Sequence, residues 1–361
     1  MSNPSFHSLI VKDVRKETET CVSVALDIPI ELINEYTYQP GQYITFKKEI
    51  NGEEIRRSYS LCSSPIEHDF RVAIKQVHGG LFSTYANHEL KIGDVLDVMT
   101  PLGNFTTVID ATNHKHYMAF AAGSGITPML SLIKTILAKE PHSSFTLVYG
   151  NQNFYSIIFR EELEALKNKY IGRFQVFHVL SRERMETDLN NGRIDSTKCN
   201  QLFEKLIDIK TIDQFFLCGP EEMIMSVKSY LENNQVETSK IRFELFNTSV
   251  SKKERQTYKE THQADQGKMS IVTIKVDDRS FDIPLAFAGD TILDAALKHG
   301  ADLPFACKGG VCCTCKAKVM EGSVEMEVNY ALEKDEVENG FVLTCQAHPT
   351  SERVVIDFDA R

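Results

Sequence analysis

The sequence predicts a multidomain protein with three folded parts. These are a small β-barrel over 1–108, a doubly wound α/β domain over 109–247 and an α+β domain over 269–361, with 248–268 as a flexible linker. Three observations carry that division. Short β-branched and aromatic runs, broken by Pro40-Gly41, Asn51-Gly52 and Gly79-Gly80 turns, fill the first hundred or so residues. From Thr112 onward, strand and helix patterns alternate. Near the end, Cys307, Cys312 and Cys315 stand as C-x4-C-x2-C, and Cys345 follows at a distance.

The totals narrow the class. A chain of 361 residues with 42% hydrophobic and 25% charged residues is long enough for two or three cored domains. No apolar run reaches the length of a membrane span, and the first residues lack the basic-then-apolar pattern of an export signal. Cys21, Cys62, Cys199 and Cys218 are scattered rather than framed as a disulfide set, which fits a reducing compartment and a cytoplasmic protein. From Met269 to the end, nine basic residues face sixteen acidic ones, a net −7 of the chain's −10. That sign argues against nucleic acid and suits a solvated acidic surface or a basic patch on a partner protein.

In the first part, strands are expected at Ser8–Val14, Cys21–Leu26, Tyr43–Phe46 and Phe70–Val77, with a short helix at Ser83–Leu90. Arg57, Tyr59 and Ser60 put a fixed cation, an aromatic face and a hydroxyl on one short segment. Gly80 and Ser83 stand at the start of the short helix. An Arg and a helix start suit a diphosphate and a Tyr suits a flat ring; the alternative is a polar strand-end turn.

In the second part, the strand Tyr117–Ala122 turns through Gly123-Ser124-Gly125-Ile126-Thr127-Pro128 into a helix expected at Pro128–Lys139. Strands at Phe145–Tyr149, Phe174–Leu180 and Phe215–Cys218 alternate with helices at Phe159–Lys169 and Glu221–Asn233. Such a sheet binds ligands at its strand C-termini, and small residues before a helix start let an anion reach the backbone. The pattern is G-x-G-x-x-P rather than G-x-G-x-x-G. No acidic residue follows the second strand to bind a ribose, since Tyr149 leads into Gly150-Asn151. A standard dinucleotide fold is disfavoured, and nicotinamide binding of another kind is left open.

In the third part, strands Ile271–Val276 and Arg279–Ile283 precede a helix at Thr291–His299 with Asp290 as its expected N-cap, and a strand at Val354–Phe358 closes the chain. Between them, four thiols in this spacing fit a plant-type [2Fe–2S] cluster, whose two irons need soft anionic ligands. Structural zinc is the alternative, but it favours two C-x2-4-C knuckles over three ligands on one loop. Gly309-Gly310 lets the loop curl, and Cys313 falls off the spacing and is left as a non-ligand.

The order of these motifs resembles the ferredoxin–NADP reductase superfamily, and within it an oxygenase reductase with a C-terminal plant-type, β-grasp ferredoxin domain. Arg57-x-Tyr59-Ser60, Gly123-x-Gly125-x-x-Pro128 and Cys218-Gly219-Pro220 carry the resemblance, with Phe159-Arg-Glu-Glu-Leu, Gly192-Arg-Ile-Asp and Phe243-Glu-Leu-Phe in support. It implies FAD in the barrel: Arg57, Gly80 and Ser83 on the diphosphate, Tyr59 along the isoalloxazine, Ser60 near its reactive nitrogen. It implies a pyridine nucleotide on Gly123, Gly125, Thr127 and Pro128, with Cys218 and Gly219 where the nicotinamide meets the flavin. Glu244 and Phe246 match the segment returning to the flavin face. Ser181 and Arg182, joined by Arg193, resemble a grip on the 2′-phosphate of NADPH, with NADH the alternative and an exposed charged turn the plain reading. Ser60 and Cys218 are the residues implied to act at the reacting atoms, and Cys307, Cys312, Cys315 and Cys345 to hold the cluster.

The implied activity is electron transfer from NADPH through FAD and the [2Fe–2S] cluster to a di-iron oxygenase that epoxidises phenylacetyl-CoA. The competing readings are the reductase of another aromatic-ring or alkane oxygenase and a redox sensor without turnover.

Overall fold

The computed structural model describes residues 5–246 and 267–360; all but the last two residues of the expected linker 248–268 lie outside the described residues. The described chain forms two compact units, one of Phe6–Pro101 with Phe105–Phe246, the other built on residues 267–360.

The first unit begins with six strands: β1 Phe6–Thr18, β2 Cys21–Asp27, β3 Tyr43–Ile50, β4 Glu53–Ser60, β5 Phe70–Lys75 and β6 Val95–Leu102. They pair in the order β4-β3-β6-β1-β2-β5, and an antiparallel bridge Leu61↔Val72 joins the two ends into a barrel. Alternating side chains fill its interior, among them Leu9, Val24, Ile44, Phe46, Val72 and Leu96. The Arg57–Ser60 segment is the end of β4 and not a free turn. Gly41, at φ +95°, marks how closely the chain packs: a Cβ there would lie 1.9 Å from the Phe105 carbonyl oxygen.

Helix α1, Leu81–His88, leads from the barrel wall, two residues earlier than the Ser83–Leu90 expectation, with Gly80 as its N-cap. Five strands follow: β7 His116–Ala122, β8 Ser144–Asn151, β9 Phe174–Leu180, β10 Gln214–Gly219 and β11 Ile241–Leu245. All pair in parallel, in the order β11-β10-β7-β8-β9. The order reverses between β7 and β10, which places a ligand crevice at their C-terminal ends.

Helix α2 runs Ile126–Lys139, so Pro128 is its third residue rather than its first. The position is tolerated because the first four N–H groups of a helix have no partner within it. Helix α3 is Arg160–Lys169, α4 is Ser196–Lys205 and α5 is Glu221–Asn233, the last with the expected bounds. The barrel and the α/β part interlock. Ser131 donates to the Ser63 carbonyl at 2.6 Å and Thr135 shares a 2.7 Å bond with Ser64, both buried. Lys134 pairs with Glu67 at 3.1 Å and with Glu162. Burial works against the Lys134 charge, but the two glutamates outweigh it and hold its pKa above the usual lysine range.

The second unit is α+β. Strands β12 Met269–Val276, β13 Arg279–Ala286, β14 Lys316–Glu321, β16 Phe341–Leu343 and β18 Arg353–Asp357 form one sheet, ordered β13-β12-β18-β14-β16. Strands β15 Val324–Met326 and β17 Ala347–Pro349 pair separately. Helix α6, Ile292–Lys298, buries Ile292, Leu293, Ala295 and Ala296 against the sheet, and a short α7 spans Lys334–Glu338. The cap of α6 is Thr291, whose hydroxyl accepts from the Asp294 N–H; Asp290, the expected cap, pairs with Lys298 at 2.6 Å. Among the described residues, no helix is long and apolar enough to cross a membrane.

Candidate functional site

In the first unit, the end of β4 and the C-terminal edge of the parallel sheet meet. Ser60, buried at the last residue of β4, donates from Oγ to Glu244 Oε2 at 3.3 Å. Glu244 sits beside Cys218 in the parallel register of β11 and β10, and Cys218 sits beside Ala121 of β7. Three residues far apart in sequence, Ser60, Cys218 and Glu244, thus gather at the switch point. Burial, reinforced by Glu244, pushes the Cys218 thiol well above its ordinary range, so it stays protonated at neutral pH.

Gly125 fixes the loop against that strand, since a Cβ on it would lie 2.1 Å from the Cys218 carbonyl oxygen. Gly123 has φ +55°, and its carbonyl accepts from the Tyr149 hydroxyl at 2.9 Å. The Thr127 hydroxyl closes the same turn on the Ser124 carbonyl at 3.0 Å, and Pro128 is buried beside it. Protein contacts hold the turn, and the first residues of α2, Ile126, Thr127 and Pro128, are buried behind it.

The barrel residues are arranged differently. The Tyr59 ring is half-buried and leans on Phe46 and Phe82 at 5.9 and 5.8 Å. Arg57 is exposed, with one Nη donating to the Arg56 carbonyl at 2.7 Å. The Ser83 hydroxyl accepts from the Val77 N–H at 3.1 Å and donates to the Gly80 carbonyl at 3.2 Å, so it fastens the turn before α1. One cation escaped the sequence reading. Lys75, at the end of β5, puts its Nζ 3.3 Å from where a Gly123 Cβ would stand. Nothing local marks it, because its neighbour lies in another part of the chain.

Ser181 and Arg182 follow β9 and are exposed. Their backbone N–H groups bond the carbonyls of Asn151 and Gln152 at 2.9 and 2.8 Å. A parallel bridge Leu180↔Asn191 brings the Arg193 stretch alongside, and Arg193 lies 3.8 Å from Glu222. Phe246, just past β11, packs half-buried against the core of the α/β part.

In the second unit, Cys312, Cys315 and Cys345 are buried and Cys307 is partly covered. The four sulfurs fall into two pairs. Cys312 Sγ lies 3.1 Å from Cys307 Sγ, and Cys315 is hydrogen-bonded to Cys345. A two-iron cluster with two thiolates on each iron requires that grouping, so the residues fit it. The surrounding backbone also fits. Gly309 N–H reaches Cys307 Sγ at 3.3 Å, and Val311 and Gly310 direct N–H groups at Cys307 and Cys345. Within each pair one thiol gives a hydrogen bond to the other. That bond holds Cys307 and Cys345 below the ordinary thiol range, and it joins with burial to push Cys312 and Cys315 above it. Lys308, at φ +51°, joins Gly310, at φ +73°, in making the curl that glycines alone were expected to make. Cys313 packs toward the domain core.

Three family models match the chain: the oxidoreductase FAD-binding domain over 11–107, the oxidoreductase NAD-binding domain over 120–229 and the 2Fe-2S iron-sulfur cluster binding domain over 274–350. The chain is 44% identical over 357 residues to a component of the 1,2-phenylacetyl-CoA epoxidase of Escherichia coli (strain K12), covering 99% of each. It is 31% identical to the ferredoxin reductase component of the 3-ketosteroid-9-alpha-monooxygenase of Rhodococcus rhodochrous, covering 97% of this chain and 96% of that one. Among solved structures, phthalate dioxygenase reductase matches with a TM-score of 0.58 at 22% identity over 98% of both chains. An intact type IV self-sufficient cytochrome P450 monooxygenase matches with a TM-score of 0.70 at 20% identity, over 97% of this chain and 41% of that one.

Proposed function

The chain belongs to the family of oxygenase reductase components that includes the matching component of 1,2-phenylacetyl-CoA epoxidase, and on that footing we propose that it carries electrons from NADPH to a di-iron oxygenase acting on phenylacetyl-CoA. The observation that carries the electron-transfer reading is the arrangement of four thiols in two pairs on a curled, N–H-lined loop. When bound, the flavin takes electrons in pairs and gives them singly, and the iron–sulfur centre takes one at a time at about −400 mV.

The protein's own residues then have to bind, orient and exclude water. Tyr59 offers a ring face backed by Phe46 and Phe82, suited to a flat heterocycle. Arg57 and the turn before α1 would take the diphosphate of FAD, with Ser83 holding that turn in shape. Ser60 keeps its proton on Oγ, aimed at Glu244, and Cys218 stays a neutral thiol. The place where nicotinamide would meet the flavin therefore carries no thiolate to compete for charge. Gly123, Gly125, Thr127 and Pro128 would present the α2 start to the nucleotide phosphates, and Lys75 adds a positive charge beside them. Glu244 and Phe246 would line the return to the flavin face, with Gly219 beside them, where the lack of a side chain lets β10 pack closely on Ala122 and Met223.

Ser181, Arg182 and Arg193 are the residues for the 2′-phosphate, since all three are exposed at one edge of the sheet and no carboxylate follows β8 to hold a free ribose. Replacing Arg182 with alanine is expected to cut the NADPH-to-NADH ratio of kcat/KM by roughly tenfold or more, since a hydrogen bond to a charged group is worth about 1.5–3 kcal/mol. An unchanged ratio removes the 2′-phosphate assignment. The same reading puts the protein in the cytoplasm, where buried free thiols such as Cys21, Cys62 and Cys199 persist.

Anaerobic titration of the holoprotein with NADPH tests the relay. Both the flavin and the iron–sulfur absorption should bleach, and adding the oxygenase with phenylacetyl-CoA and air should couple NADPH loss to epoxide formation. If only the flavin bleaches, the relay fails. If both bleach without epoxide forming, the partner assignment fails.

A further inference from the structure

We propose that Gln346 is a positioning residue of the cluster site: its side-chain amide donates to the Cys345 sulfur, ties that arm to the three-cysteine loop, and raises the reduction potential of the centre. The inference rests on the reading above that the four cysteines hold a [2Fe–2S] cluster.

Gln346 is fully buried. Its Nε2 lies 2.8 Å from the Cys345 carbonyl oxygen, 3.1 Å from the Lys308 carbonyl oxygen and 3.4 Å from Cys345 Sγ. Three acceptors surround that atom, and Oε1 meets no hydrogen-bond partner among the described residues. The orientation of the amide is thereby fixed, because the swapped form would set an oxygen against three acceptors. One amide thus spans both arms of the site, Lys308 on the loop and Cys345 on the remote segment.

The backbone leaves the side chain little freedom. Gln346 N–H donates to the Leu343 carbonyl at 2.8 Å, and its own carbonyl accepts from the Glu327 N–H at 2.9 Å. Thr344 bonds the Cys315 carbonyl through both N–H and hydroxyl, at 3.1 and 2.9 Å. The loop fits against the Gln346 stem because residue 310 is glycine. A Cβ there would come within 3.2 Å of Gln346 Cγ and 2.8 Å of Val328 Cγ2.

The sign of the effect follows from charge. Reduction adds one electron, part of which falls on the ligand sulfurs, so an N–H donor stabilises the reduced form more than the oxidised form. Burial strengthens the bond by removing competing water. Losing the donor should therefore make the centre harder to reduce. Leucine fits the test because it removes the donor at similar bulk and also removes an acceptor that is already without a partner.

The experiment compares full-length holoprotein with its Gln346→Leu variant, each titrated with dithionite and followed by the paramagnetic signal of the reduced centre. The variant should keep two irons per chain, with its one-electron equilibrium shifted tenfold toward the oxidised form, a midpoint about 59 mV more negative. An unchanged midpoint with iron retained overturns the inference. If the variant loses its cluster, unaltered protein labelled with 15N in its glutamine side-chain amides decides: a 15N coupling in the pulsed spectrum supports the bond, and no coupling overturns it. Unaltered protein that holds no iron overturns the cluster reading itself and this inference with it, a failure separable from an unmoved midpoint.

Discussion

Replacing Cys345 with alanine should abolish the iron–sulfur absorption and the paramagnetic signal of the reduced protein while sparing flavin reduction by NADPH. Cys345 is buried and paired with Cys315, and it is the one thiol of the four that comes from outside the loop. On the proposed assignment one iron would then lack a ligand and the cage could not close. Oxygenase-coupled turnover should fall by more than about a hundredfold, since losing even the outer-shell partner of a metal ligand costs 10–100-fold. Ferricyanide, which can draw electrons from the flavin directly, should still be reduced at close to the original rate. Cys313→Ala is the matched control: this residue falls off the C-x4-C-x2-C spacing and packs partly buried against the domain core, so the variant should keep its cluster. A Cys345→Ala protein with full iron content and signal would overturn the ligand assignment.

The second large effect is expected at Gly125. An added Cβ would stand 2.1 Å from the Cys218 oxygen, 2.5 Å from its carbon and 2.9 Å from the Gly219 nitrogen. All three are backbone atoms of β10, so no rotamer change relieves the clash. Gly125→Ala should cost about 3 kcal/mol, the upper part of the overpacking range, and lower the melting temperature by roughly 2–4 °C for each kcal/mol. NADPH-dependent flavin reduction should fall with it, because the loop and the Cys218 strand are forced apart. At Gly123 the nearest atom to a new Cβ is the flexible Lys75 Nζ, at 3.3 Å. There only the left-handed backbone, at φ +55°, is penalised, by about 1–2 kcal/mol. Thermal melts of both variants, with NADPH kinetics, give the comparison. Equal losses would mean that the packing of Gly125 on β10 is not what sets its size.

Features whose cause is local were legible in the sequence. The helix Glu221–Asn233 begins after Pro220 and carries its apolar positions at helical spacing, and it lies where the pattern put it. The cysteine spacing pointed to a loop that brings three thiols together, because the loop is short. Adjacent polar residues were less telling: Asp290 was the expected cap of helix α6, but Thr291 caps it and Asp290 instead pairs with Lys298.

Helix α4 was passed over although its signals are local: Asp195 caps it by accepting from the Lys198 N–H, and Cys199, Leu202 and Phe203 stand at helical spacing. The meeting of Ser60 with Glu244, 184 residues apart, depends on strand order and has no local trace. Gln346 looked like an ordinary residue after a cysteine. Two of its three contacts are to the adjacent Cys345, and the third, to the Lys308 carbonyl, exists only because that stretch folds back over it.

The interlock between the barrel and the α/β part has a mechanical consequence. Ser63, Ser64, Ser131 and Thr135 meet in buried hydrogen bonds, and Lys134 adds charge at the same seam. Parting the halves would strand those polar groups, so they melt cooperatively and neither is a natural truncation product. A ring seated on Tyr59 and a nucleotide seated at the α2 start would share one rigid chassis, with their separation set at folding and not renegotiated in each catalytic cycle.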